Sequence, residues 1–120
     1  MIVAYGTVHE VAAMNRLFED PLLGSKNRNG MFWDGGNLKA MELLECASPW
    51  SSGEKHLAYL AVELWGCGFP KGHKGFKLLD AMSCLETKHQ RTILEAIAIR
   101  AGLSITFPAP SRASSLLDSQ

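Results

Sequence analysis

Three groupings of side chains have the types and spacings that chemistry could use. His56, Tyr59 and Glu63 stand at i, i+3 and i+7 of an apolar run. A helix would line them along one polar face, where a histidine and a carboxylate could act as a general base and its orienting partner. Seven helical positions rise about 10 Å, so the pair could not hydrogen-bond without a substrate or water between them. A solvated polar stripe fits that spacing better, and no serine or cysteine nucleophile stands with an assignable base. No catalytic residue is expected.

Cys67 and His73 are close enough in sequence to share a metal, with Cys84 a conceivable third ligand after folding. Structural zinc, however, ordinarily shows paired ligands at short spacing, and the chain contains neither CxxC nor HxxxH. Gly66 to Gly75 holds four glycines with Lys71, His73 and Lys74, and bare amides beside lysines suit an oxyanion. A phosphate loop would run from a strand into a helix and read Gly-Lys-Ser/Thr. This one comes after a helix, reads Gly72-His73-Lys74 and loses a donor at Pro70. Neither a metal nor a cofactor is expected.

The elements that would position these groups are helices. Thr7-x-x-Glu10 is a capping box opening a helix whose apolar stripe is Val11, Met14, Leu17 and Phe18, with Pro21 as its stop. Gly24 to Gly30 is a run of turn formers and reads as an exposed, flexible loop. Met31-Phe32-Trp33 is a three-residue apolar anchor, and Asn37 after the Asp34-Gly-Gly turn predicts a capped helix over 38–47. Ser51-x-x-Glu54 opens the most apolar helix, expected at the centre and ended by Gly66. Two nearly contiguous helices are predicted at about 76–86 and, behind a third box at Thr87-x-x-Gln90, 88–101.

The expected fold is mainly α: about five helices in a compact bundle, with at most a small β element from the chain ends, residues 1–5 and 103–107. One domain over 1–107 and a disordered Ser-rich tail over 108–120 complete it. Forty-seven per cent apolar and 20% charged residues are the composition of a folded globule. Twelve basic and twelve acidic side chains leave no formal net charge, against a long-range field for nucleic acid. Residues 1–65 nevertheless sum to −3 and residues 66–107 to +3. Cys46, Cys67 and Cys84, an odd and widely spaced set beside apolar runs, read as small hydrophobes in a reducing compartment. Without a secretory start or an apolar run near 20 residues, a cytoplasmic chain without membrane association is expected.

From about 54 to 107 the order is long apolar helix, basic loop, short helix, tight turn, amphipathic helix and β-prone segment. This resembles the helix order of a winged-helix DNA-binding domain. The resemblance implies that Lys88, His89, Gln90 and Arg91 stand nearest the bases while Lys71, Lys74 and Lys77 hold phosphates. With Ile93 and Ile97 turned inward, the outward face of the last helix would be Lys88, Arg91, Thr92, Glu95 and Ile99. Glu95 repels phosphate there, and a solvent-facing Ile99 beside charges suits a protein contact. The favoured expectation is a non-enzymatic binding or adaptor domain meeting another protein or a second copy of itself. A winged-helix-like nucleic-acid binder is the second reading, and a small enzyme built on His56 and Glu63 the third.

Overall fold

The computed structural model describes residues 7–107. The β-prone residues 1–5 and the tail 108–120 lie outside them. Two of the three capping boxes form as the sequence requires. Glu10 N–H donates to Thr7 Oγ1 (3.2 Å) and Thr7 N–H to Glu10 Oε1 (2.8 Å), starting α1 (Val8–Phe18). Ser51 and Glu54 exchange the same bonds at the start of α4 (Ser52–Trp65), and the Ser51 N–H holds the Glu54 carboxyl below its usual range. Gly66 ends α4 at φ +83°, the left-handed conformation that spares a Cβ clash.

The third box does not form. Glu86 is the extended residue before α6 (Thr87–Arg100), Thr87 is already helical, and neither supplies a side-chain cap. Gln90 instead donates to the carbonyl of Met82 (2.7 Å) in α5 (Leu78–Cys84), a short helix that ends without glycine and needs a partner for its free carbonyls. Asp20, followed by Pro21, starts the one-turn helix α2 (Pro21–Gly24), where only a stop was expected, by accepting from Leu22 N–H (3.0 Å). Helix α3 (Ala40–Ala47) begins later than expected. Asn37 gives its N–H to Asp34 Oδ1 rather than capping, and Leu38 is drawn into an isolated antiparallel bridge with Trp33.

The described residues thus form six α-helices, mainly helical as expected, and no named strand. Helix α4 lies at the centre. Leu57, Ala58, Leu60, Ala61, Val62 and Leu64 are buried on it, and it packs against each of the other five helices. The tryptophans join this core: Trp33 meets Trp65 edge-on at 5.3 Å and stacks on Phe18 at 6.5 Å, while Trp50 meets Phe32 at 6.0 Å. Large rings bury the most apolar area per residue, so a chain of this size places them inside first.

The polar run 24–30 is not an unanchored loop. Asn27 Oδ1 accepts from both Phe32 N–H and Trp33 N–H (2.8 Å each), and its Nδ2 donates to Trp33 C=O (2.9 Å). One amide side chain so serves the edge of the buried Phe32-Trp33 backbone that the bridge to Leu38 leaves open. Asn27→Ala should therefore destabilise the fold by about 2–3 kcal/mol, the order expected for several lost part-buried bonds. Asn27→Asp keeps the acceptor and should cost less; urea midpoints for the two variants check the ranking.

Candidate functional site

Helices α1 and α6 run antiparallel and are fastened at three levels. Near one end Arg100 Nη2 meets Glu10 Oε2 (3.1 Å) while its Nε donates to the carbonyl of Leu64 (2.8 Å), tying in the last turn of α4. Midway, Arg16 places both Nε and Nη2 at 2.6 Å from Glu95 Oε1. At the far end the imidazole Nδ1 of His89 lies 2.8 Å from each carboxylate oxygen of Asp20, with both side chains almost wholly buried. A carboxylate only accepts, so Nδ1 carries the hydrogen. Asp20 also caps α2, so one buried carboxylate joins α2 to α6.

This seam relocates the residues expected to face outward. Thr92 is buried (2% exposed), and its hydroxyl donates to Lys88 C=O. Glu95 turns to Arg16 instead of to Arg91 one turn earlier. Ile99 is half-buried, and only Lys88 of the stripe is fully exposed. The expectation of a solvent-facing stripe is corrected: α1 packs along it. Among the side chains that the DNA reading placed at bases, His89 is buried against Asp20 and Gln90 is committed to Met82 C=O. Lys71, Lys74 and Lys77 are exposed.

Beyond α6 the chain reverses. Gly102 is left-handed (φ +78°), and the N–H of Leu103 reaches back to Ala98 C=O (2.8 Å). The Arg91 guanidinium then lies over the Phe107 ring, 4.8 Å from its centre. Eleven helical positions separate Arg91 from Gly102, a rise of about 16 Å, and five extended residues cover about the same length. Residues 103–107 form an arm laid back along α6, with no strand partner among the described residues where a short strand was expected. Arm and helices enclose a groove of about 340 Å³ lined by Arg16, Glu95, Ile99, Leu103, Ser104 and Ile105. A neighbouring, more polar cleft of about 470 Å³ is lined by Arg16, Glu19, Asp20, Pro21, Lys88, Thr92 and Glu95.

The other candidate chemistry is dispersed. His56 is half-buried, with a buried Nδ1 that has no hydrogen-bond partner among the described residues, whereas Glu63 is exposed. Tyr59, between them in sequence, is taken up by rings: it meets Phe69 edge-on at 6.4 Å and His73 at 4.8 Å, and those two stack at 4.8 Å. His73 Nδ1 accepts from Gly75 N–H (2.9 Å), so the basic loop is folded onto α4 by its own histidine. No group of three or more His, Cys, Asp or Glu among the described residues could hold a metal ion. All three cysteines are exposed rather than packed as small hydrophobes. No described helix is long and apolar enough to cross a membrane.

Asp20 went unnoticed in the sequence as part of any site. An aspartate followed by proline marks a helix start, which is the one local signal it carries. Its partner lies 69 positions away. No family model, curated protein or solved structure matches the chain.

Truncating either member of the buried pair strands the other, so Asp20→Ala and His89→Ala should each cost about 3–5 kcal/mol. The double variant should lose much less than their sum, and a double-mutant cycle in urea measures that coupling. A second expectation concerns Cys67, whose thiol is pushed above its usual range by desolvation and secondarily by the Glu10 carboxylate. With Cys46→Ser and Cys84→Ser in place, iodoacetamide labelling of the folded protein should rise at higher pH than in the urea-unfolded chain. Coincident curves would refute this.

Proposed function

We propose that the chain is a non-enzymatic binding domain acting through protein–protein contact at the groove between α6 and its returning arm. The observation that carries this reading is the character of the groove. Leu103 and Ile105, 67% and 43% exposed, line it together with Ile99. Arg16 and Glu95 pair at its edge, so apolar surface is bordered by a satisfied ion pair, the core-and-rim pattern of contact surfaces. Large aliphatic side chains gathered on an exposed segment mark an interaction site better than scattered ones do. The dispersal of His56 and Glu63 and the burial of the Asp20–His89 pair favour binding over catalysis.

Ile99, which the sequence singled out for contact, takes part with Glu95, while Leu103 and Ile105 supply most of the open apolar area. Lys88 and Arg91 stand toward the other end of α6, where charge would set orientation and on-rate rather than most of the affinity.

A concentration-dependent rise in solution mass, or a stoichiometric complex with an identified protein, is expected. Leu103→Asp combined with Ile105→Asp should remove it while leaving the far-UV circular dichroism unchanged. Association that survives the double variant would place the contact elsewhere. A chain that forms neither assembly would refute the reading.

A further inference from the structure

The arm that borders the groove is open along its backbone as well as its side chains. Leu103 N–H is used by Ala98 C=O; no other backbone N–H or C=O of residues 103–107 is hydrogen-bonded among the described residues. Residues 101–106 are exposed and only Phe107 is half-buried. A non-helical segment whose donors and acceptors are unused among the described residues can take the extended form to which another strand is added. Leu103-Ser104-Ile105-Thr106-Phe107 alternates apolar and hydroxyl side chains with the period of a strand.

Resting on the reading that this groove is a protein-contact site, we propose that its partner is a second copy of this chain, joined by antiparallel pairing of the two arms about a two-fold axis at Ile105. The sequence of the arm is complementary to itself in that register. Ile105 faces Ile105 of the second copy, Leu103 faces Phe107, and Ser104 faces Thr106. Apolar side chains thus meet on one face of the ribbon and hydroxyls on the other, both favourable cross-strand pairs. Any one-residue slip would set apolar side chains against hydroxyls.

Two further observations fit a second copy. A free two-stranded ribbon is marginal in water, but each arm is already anchored on its own α6, through Phe107 beneath Arg91 and through Ile99 in the groove. Of the charges beside the arm, Arg16 and Glu95 neutralise each other, and the Arg91 guanidinium is engaged with the Phe107 ring. A two-fold contact also requires nothing beyond the patch itself, because the same surface serves both sides.

The test uses the full chain with Cys46→Ser, Cys67→Ser and Cys84→Ser. Ile105→Cys on that background should oxidise to a disulfide-linked dimer at least tenfold faster than an exposed control, Ser83→Cys. Ser104→Cys and Thr106→Cys proteins should cross-link with each other in a mixture more than either does with itself. In the unaltered protein, sedimentation should show a mass rising from one chain toward two, with amide exchange at residues 104–106 slowing at least tenfold over the same range. A dimer or partner complex that Leu103→Asp abolishes but that lacks this cross-linking register overturns the self-pairing and leaves the contact reading standing. A single-chain mass at every concentration overturns the self-pairing, and slow exchange at 104–106 in that monomer would assign the edge to another segment of the same chain. Absence of self-association and of any partner complex defeats both.

Discussion

The buried contact between Asp20 and His89 ties the exit of α1, the start of α2 and the first turn of α6 together with one pair of side chains. A carboxylate and an imidazole removed from water are tolerated only when each satisfies the other, and here both carboxylate oxygens lie within 2.8 Å of the ring nitrogen. Because Asp20 also caps α2, it fixes the turn after α1, the start of α2 and the first turn of α6 at one point. Arg16 with Glu95 and Glu10 with Arg100 then hold the seam at intervals along its length. The apolar core around α4 supplies cohesion without direction. The polar seam selects the face of α6 that α1 covers.

That selection determines which surface of α6 stays open. A face of α6 that a helical wheel leaves to solvent is divided between α1, which takes Thr92 and Glu95, and the returning arm, which takes Arg91 and borders Ile99. The open apolar surface passes from the helix to the arm, where Leu103 and Ile105 are exposed. A contact made by such a segment, as proposed, would differ in kind from one on a helix. In the proposed pairing, affinity would come from the main chain as well as from side chains, and register rather than helical spacing would set specificity.

What the sequence revealed about the fold is mostly what neighbouring residues decide together. The boxes at Thr7 and Ser51 join residues three apart, Gly66 and Gly102 need only their own conformation, and the apolar stripe of α4 is legible because it covers most of the helix. The box at Thr87 has the same local pattern and fails because Gln90 finds a better use eight positions away, at Met82 C=O. Asn27, inside a run composed like a mobile loop, becomes a structural centre because it takes the N–H groups of the buried Phe32 and Trp33, which the bridge to Leu38 leaves unused.

The site was less legible, for the same reason at longer range. Glu95 has Arg91 one turn away on its own helix and Arg16 seventy-nine positions away, and it takes the distant one. Local spacing ranks the first pair higher, because only the assembled seam brings Arg16 to a half-buried position where its charge needs a partner. Arg91 lies instead over the Phe107 ring of the returning arm. The exposed segment from Leu103 to Phe107 follows that helix pair in the chain. Its alternating pattern is visible in the sequence, but its place beside Ile99 is fixed only by the helix pair beneath it.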